Sequence, residues 1–469
     1  MRYSNFIVNV STLGKFCEAA TRLSALVEML RNYKKCNCNF QAVRCDEKNH
    51  QNLNSFLTFQ RVLAIMCRTL LRYILFNNHL FFLNRVGYRE ASMINKNRLP
   101  DLTDEALLTI PIERSETIPS TWYTDPRFHE VDNEYIFART WQNVGHIGQV
   151  KNSGDVLIAT VANNPVLVVR GKDGVLRAFY NVCKHRGGPL ATKDCTVKVL
   201  QCQYHGWTYL LDGSLRGVPE FDRVELFDKR DYGLVPIHVD VWEGMVFVNL
   251  SDNPQPLRAI FEGIVERIAP IKLSTKKFCK RINYEVNCNW KVYVDNYLEG
   301  YHLPYVHPEL CNLLDYQNYV TETFKYYSLQ YSPFTGKDNL YTEGSGAASH
   351  LKADEAVRGE AFYYFVFPNF MMNILPGRVQ TNIIVPLAHD RTLTVFDYYY
   401  DDIDSPHARK MINEDIAYSD RIQKEDIEIC EHVQRGLASK AYHRGRFSVK
   451  CEQGVYHFQQ LLKEAYKKL

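Results

Sequence analysis

Two short stretches constrain this chain more than any other feature: Cys183-Lys-His185-Arg-Gly187-Gly188 and Cys202-Gln-Tyr204-His205-Gly206. Each offers one thiolate and one imidazole, and each stands where β-rich runs predict the tip of a hairpin. Soft sulfurs and imidazoles in a two-plus-two set suit zinc or a [2Fe–2S] cluster. The order of the ligands favours the cluster. Zinc fingers pair Cys with Cys and then His with His, whereas each loop here mixes them. A cluster with two Cys on one iron and two His on the other fits the pattern, and that split raises the reduction potential above an all-Cys centre. Gly187, Gly188 and Gly206 are expected to let the backbone pass close to the sulfurs and donate N–H groups to them. Zinc in the same loops is the alternative.

A second constellation lies downstream, where Asp295-Asn296-Tyr-Leu-Glu299-Gly-Tyr-His302-Leu-Pro304-Tyr-Val-His307 follows Asn289-Trp-Lys. Two His and one carboxylate form the facial triad of non-haem Fe(II) oxygenases, with positions left for O₂ and substrate. On an unbroken helix the two imidazoles would point about 140° apart. Pro304 disfavours a helix there and lets the chain turn, so that both can reach one metal. The third ligand is expected on a helix spanning 422–437. Its apolar positions Ile422, Ile429/Cys430, Val433 and Leu437 make a stripe with one gap, at Asp426. A carboxylate on a core-facing stripe must be neutralised, hydrogen-bonded or bound to a metal. A buried salt bridge to an Arg is the competing reading for Asp426. Glu425 and Glu428 fall on the polar face.

Charge divides the chain. The whole carries 56 Lys+Arg against 53 Asp+Glu, but residues 1–100 hold 15 against 5 (+10) and the remaining 369 hold 41 against 48 (−7). The basic segment, taken as 1–105, has two Gly and one Pro, so turn punctuation is nearly absent. Its longest charge-free run is too short and polar for a membrane span, and residues 3–14 are too polar for a secretory signal. An Arg-rich, acid-poor organelle transit segment fits loosely. Cys36, Cys38, Cys45 and His50 match no standard zinc spacing. A basic accessory region, or an upstream frame read through to a true start at Met93, accounts for the segment as well. Scattered cysteines without a framework point to a reducing compartment, the cytoplasm or an organelle matrix.

From residue 106 the texture becomes α+β. Asp125-Pro126 and 133–141 read as a turn and a helix, giving a helical lead-in over 106–140. Short strands such as 166–170 and 175–180, with turns at Lys172-Asp173-Gly174 and Asp212-Gly213, predict antiparallel hairpins over 141–253. Pro254 and Pro256 mark a boundary. Strands at 281–286, 362–366 and 392–400 and helices at 290–299, 422–437 and 453–468 follow in 254–469. The aromatic groups at Tyr305 and Tyr363-Tyr364-Phe365 read as plain core in a chain with 13% aromatics, although rings could also face a cation.

Taken together, the two motifs resemble the α subunit of Rieske ring-hydroxylating oxygenases, most closely the choline and carnitine monooxygenase branch. Respiratory-complex Rieske proteins carry an extra Cys in each loop, where this chain has Gly188 and Tyr204, so the likeness is to the oxygenase and ferredoxin type. The resemblance covers about residues 106–469. It implies an antiparallel β Rieske domain and a helix-grip catalytic domain (an antiparallel sheet with helices), with one [2Fe–2S] cluster on Cys183, His185, Cys202 and His205. It further implies one mononuclear non-haem Fe(II) on His302, His307 and Asp426, with Asn296 just outside the ligands. A head-to-tail homotrimer is implied, in which Glu299 carries electrons from a neighbouring subunit's cluster. Glu at this position, where many ring hydroxylases have Asp, is similar to the carnitine type and favours a quaternary ammonium substrate such as choline, betaine or carnitine.

Other classes lack support. No Gly-rich dinucleotide fingerprint follows a strand, since Gly344-Ser-Gly-Ala lacks a third Gly and the βαβ setting. Electrons are therefore expected from a separate NAD(P)H-dependent reductase or ferredoxin. Gly-x-Ser-x-Gly is absent, and basic residues are not interleaved with aromatics as in nucleic-acid binders. The competing functions are ring dihydroxylation, pure electron carriage and a non-catalytic interaction role.

Overall fold

The computed structural model describes residues 99–313, 316–333, 360–375 and 377–469. The basic segment before residue 99, with Met93 and Cys36, Cys38, Cys45 and His50, and Gly344–Ala347 fall outside them.

Ten strands form between residues 142 and 249. They are β1 (Gln142–His146), β2 (Asp155–Val161), β3 (Asn164–Arg170), β4 (Leu176–Tyr180), β5 (Cys195–Thr196), β6 (Leu200–Gln201), β7 (Thr208–Tyr209), β8 (Leu215–Gly217), β9 (Pro236–Trp242) and β10 (Met245–Asn249). Seven make an antiparallel sheet in the order β1-β10-β9-β4-β3-β2-β5, and β6-β7-β8 make a small second one. The Cys202 loop is a true hairpin tip, because β6 and β7 pair. The Cys183 loop is not. It leaves β4, which pairs with β3 and β9, and enters β5, which pairs with β2. Alternating apolar residues mark strands but cannot say which strands become neighbours.

The second sheet contains β11 (Lys277–Val286), β12 (Val320–Thr323), β13 (Tyr327–Pro333), β14 (Glu360–Val366), β15 (Phe370–Leu375), β16 (Arg378–Ala388) and β17 (Arg391–Tyr400). It is antiparallel, in the order β11-β17-β16-β15-β14-β13-β12. Its two faces enter two cores, as the strand period of two demands. On β14, Phe365 packs with Trp290 and Phe458, while Phe362 and Tyr364 pack with Trp242 and Phe261. The first core is closed by four helices: α1 (Pro126–Val131), α2 (Trp290–Tyr297), α3 (Pro406–Leu437) and α4 (Gln453–Tyr466).

Asp125 caps α1 by accepting the Arg127 N–H, with Pro126 at the first helical position. The expected helix over 133–141 begins earlier and ends at Arg139, passing through a π-helical turn at Asp132–Ile136. α2 stops at Tyr297, two residues before Glu299. The largest departure is α3, which starts at Pro406 with a Ser405 cap. Its core face also differs from the apolar stripe, because Gln423, Cys430 and Gln434 are buried while Val433 is 43% exposed. The glutamines enter because they are satisfied there: Tyr293 Oη donates to Gln423 (2.6 Å) and the Asn289 N–H donates to Gln434 (2.9 Å).

The π turn of the lead-in brings Asp132 into the first core. Its carboxylate accepts from Lys291 Nζ, from the Tyr466 hydroxyl and from Trp290 Nε1 (2.8 Å), and the Lys291 and Asp132 side chains are both fully buried. Lys291 also donates to the Trp122 carbonyl at 3.2 Å. Burial pulls the Lys291 pKa down, and Asp132 opposes it. Removing one member of such a pair strands a buried charge. Asp132→Ala is therefore expected to lower unfolding free energy by about 3–5 kcal/mol, and Lys291→Met by less. Urea unfolding of both variants checks the order.

Candidate metal centres and substrate pocket

The two Cys/His loops are built alike. In each, the Cys N–H donates five residues on, to Gly188 O (2.8 Å) or Trp207 O (2.9 Å). In each, the Gly four residues on donates back to the Cys carbonyl, at 3.0 Å from Gly187 and 2.9 Å from Gly206. Cys183 and Cys202 are buried, and the His185 and His205 rings stand 4.6 Å apart in a T arrangement. His185 lies flat on Trp207, at 4.9 Å and 8°. The Tyr209 hydroxyl sits 3.3 Å from Cys183 Sγ and accepts the Lys184 N–H at 2.9 Å.

The glycines do their work differently from expectation. Gly187 and Gly206 take positive φ of 75° and 74°, which side chains rarely adopt. Only Gly188 marks a close approach, since a Cβ there would lie 2.9 Å from Cys202 Sγ. His185 Nδ1 is buried without a hydrogen-bond partner among the described residues. Two adjoining sulfurs and an orphaned ring nitrogen fit a cluster that uses them as ligands.

The second site gathers at the C-terminal end of α2. His302 opens a single helical turn, Leu303–Val306, and His307 closes it. Pro304 does not prevent this turn, because the first helical positions tolerate proline. What redirects the second imidazole is the departure of His307 from helical geometry, at φ −124° and ψ 61°. The rings meet at 5.2 Å. Asp426 comes from α3, its Oδ1 2.9 Å from His307 Nε2 and 3.8 Å from His302 Nε2. One donor atom from each residue lies within 4.8 Å of the others. The group that donates to Asp426 is the Asn296 amide, at 2.7 Å, and not an Arg.

The outer nitrogens of both imidazoles are held by carboxylates. His302 Nδ1 is 2.8 Å from Glu299 Oε1, and His307 Nδ1 is 2.6 Å from Glu425 Oε2. Glu299 lies past the end of α2. It caps the following turn, accepting the N–H groups of Tyr301 and His302 (3.0 Å). Glu425 was assigned to the polar face, because it lies about 100° round the helix from Asp426. In the fold, His307 reaches across to it. Burial disfavours a charged His307, but Asp426 and Glu425 outweigh it and raise its pKa. With each Nδ1–H directed at a carboxylate, the Nε2 lone pairs face the centre, as metal-binding imidazoles require. This donor set fits a mononuclear iron.

Beside the triad opens a pocket between α2, α3 and the second sheet. Tyr297, Tyr319, Tyr363 and Phe396 supply its aromatic walls, and Asn373, Gln380, Asn382 and Ser419 supply its polar lining. Tyr363 is thus a pocket residue, whereas Tyr364 and Phe365 are core and Tyr305 is on the surface. Neighbouring residues on a strand face opposite ways, which composition alone could not apportion.

The chain matches the Rieske [2Fe-2S] domain over residues 140–228 and the ring hydroxylating alpha subunit (catalytic domain) over 274–468. It is 34% identical over 366 residues to the chloroplastic choline monooxygenase of Arabidopsis thaliana, covering 75% of this chain and 83% of that one. It is 32% identical over 364 residues to the carnitine monooxygenase oxygenase subunit of Acinetobacter pittii (strain PHEA-2), covering 75% and 95%. The solved structure of a quaternary ammonium Rieske monooxygenase matches with a TM-score of 0.68 and 30% identity, over 76% of this chain and 99% of that one. A naphthalene 1,2-dioxygenase structure shares the fold at 19% identity and a TM-score of 0.62.

Two predictions follow from the supports behind the site. Glu425→Ala is expected to weaken iron binding about 10–100-fold, read by competition with a chelator, while the exposed Glu428→Ala should not. Asp295, on α2 and accepting from Tyr123 Oη at 2.6 Å, is pushed by burial to a pKa of about 7. Its unfolded value is near 4. The stability it contributes is therefore complete below about pH 4 and lost as pH rises through 7. Asp295→Asn should gain Tm relative to wild type between pH 5 and pH 8.

Proposed function

This chain belongs to the Rieske ring-hydroxylating oxygenase α subunits, related to the choline and carnitine monooxygenases, and on that premise we propose that it hydroxylates a small quaternary ammonium compound such as choline, betaine or carnitine. The observation that carries this reading is the wall of aromatic rings, Tyr297, Tyr319, Tyr363 and Phe396, in the pocket that also contains the His302–His307–Asp426 triad. Ring faces attract a cation that has little hydration to lose. An unsubstituted aromatic ring would stack there too, but the lining also carries the amides of Asn373, Gln380 and Asn382, which suit the hydroxyl or carboxylate that these quaternary ammonium compounds bear.

In this proposal Cys183, His185, Cys202 and His205 hold the [2Fe–2S] cluster, and His302, His307 and Asp426 hold the iron. When bound, these groups supply single electrons and activate O₂ for insertion of one oxygen atom into a C–H bond. Glu299 and Glu425 fix the tautomers of the two imidazoles, and Asn296 steadies Asp426. The apolar walls exclude water, and the pocket aims the C–H bond at the open side of the triad.

Glu299 touches His302 and is proposed as the residue through which electrons arrive from a neighbouring subunit's cluster in a homotrimer. A separate NAD(P)H-dependent reductase or ferredoxin supplies those electrons. All eight described cysteines are free, which supports a reducing compartment, cytoplasm or organelle matrix. Among the described residues no helix is long and apolar enough to cross a membrane.

The test is substrate-dependent O₂ uptake with choline, betaine, carnitine and benzoate, given a reductase. Quaternary ammonium compounds should stimulate uptake with one product oxygen per O₂; stimulation by benzoate alone would sink the reading. His302→Ala should abolish turnover while keeping the reduced cluster's EPR signal, and an active variant would return the chain to the non-catalytic class.

A further inference from the structure

A second cavity, of about 230 Å³, shares no residue with the pocket of the triad. Residues 105–119 form one wall and the chain between α3 and α4 forms another. Backbone bonds hold these walls together: the Thr117 N–H donates to the Gly445 carbonyl at 3.1 Å, and the Ser120 N–H to that of His443 at 2.8 Å. Helix α4 adds Lys463. Four cationic side chains line the cavity, Arg114, Arg444, Arg446 and Lys463, against two carboxylates, Glu105 and Glu116. The lining therefore carries an excess of positive charge.

Lys463 is the least compensated of these cations. It is 6% exposed, and its ammonium donates to a neutral acceptor, the Leu108 carbonyl, at 3.1 Å. Burial pulls its pKa down, and the positive charges of Arg444 and Lys467 add to the effect. A buried cation in that state costs stability unless a counter-ion joins it. Arg444 is under-paired as well. Its Nε is buried with no hydrogen-bond partner among the described residues, and its Nη1 reaches Glu116 only at 3.4 Å. The Glu116 side chain is 52% exposed, so solvent screens that contact. Arg446 directs its Nη2 to another neutral acceptor, the Glu113 carbonyl, at 2.7 Å.

We propose that this cavity binds a phosphate group, either the free ion or the phosphate of a small metabolite, between Lys463, Arg444 and Arg446. A phosphate carries close to two negative charges at neutral pH, which answers the excess left by Glu105 and Glu116. Its oxygens accept from several directions at once, and here the donors come from two elements, α4 and the chain before it. A monocarboxylate would answer one charge and leave the other. The bound group would tie α4 to the 444–446 segment and so to the wall formed by residues 105–119. A ligand that binds only the folded chain stabilises it by mass action. The site is independent of the substrate that the triad oxidises.

The experiment is calorimetric titration of the full iron-loaded chain with inorganic phosphate, glycerol phosphate and acetate, at constant ionic strength set by chloride. A phosphate compound should bind one per chain at millimolar concentration or below, and acetate about tenfold more weakly. Melting temperature should rise with the concentration of that compound. Lys463→Met should weaken its binding roughly 10–100-fold, the loss expected for a hydrogen bond to a charged group. Arg444→Lys keeps the charge but loses the guanidinium fork, and it should weaken binding in the same direction. Iron content and the cluster EPR signal report whether each variant is intact. If Lys463→Met does not fold, Arg444→Lys decides alone. Tighter binding of glycerol phosphate than of inorganic phosphate would assign the site to a phosphorylated metabolite, and the reverse order to the free ion. No one-to-one binding, an affinity unchanged in the intact variants, or acetate bound as tightly as phosphate would overturn the phosphate site.

Discussion

The Asp132 carboxylate, fully buried against Lys291, is the constraint on which the catalytic half depends. It joins three parts of the chain far apart in sequence: the π-helical turn of the lead-in, helix α2 through Lys291 and Trp290, and helix α4 through Tyr466. A buried pair of this kind is a poor source of net stability, because both ions lose their water. Its value is positional. Hydrogen bonds from three directions tolerate one placement of α2, where apolar packing alone would tolerate several. Helix α2 ends at Tyr297, and His302 follows within a turn and a half of chain. An error in α2 would be passed to the first imidazole.

The triad inherits its geometry through hydrogen bonds rather than through packing. Each imidazole is held on its outer nitrogen by a carboxylate, Glu299 or Glu425, and Asp426 is held by Asn296. Four carboxylates and amides around two histidines would be costly if left unsatisfied in a half-buried site. They are tolerated because each meets a defined partner. The same economy extends along α3, where Gln423 and Gln434 point inward to Tyr293 and to the backbone of Asn289. Polar side chains therefore line the helix face nearest the metal centre, and an apolar count misplaces that face by about one residue. Val433 is exposed and Cys430 is buried for this reason.

The two metal centres differ in how far the chain itself specifies them. Each Cys/His loop is local: one Cys, one His and the glycines lie within six residues, and the backbone-to-backbone hydrogen bonds from its Cys and Gly stay inside it. Such a unit is legible because short-range spacing sets its geometry. The Fe(II) site is legible for His302 and His307 on the same ground. Asp426 is marked in the sequence by a gap in an apolar stripe, a weaker sign, and the fold sets its carboxylate beside the two imidazoles. Glu425 carried no such sign. It neighbours a ligand in sequence yet faces another direction on the helix, and only the approach of His307 from a distant turn gives it a role.

From the sequence alone follow the class of the protein, an α+β chain with a Rieske-type cluster motif and a two-His site, and the candidate residues for both. These rest on spacings of one to five residues, which backbone geometry converts directly into position. Tertiary structure decided what depends on separations of a hundred residues or more. It chose which strands flank the Cys183 loop and turned Tyr363 toward the pocket while Tyr364 and Phe365 stayed in the cores. It also brought Glu425 to His307 and Leu108 to Lys463. The physical reason is common to all of these. Periodicity states which residues share a face, and only the packing of one element on another decides what that face meets.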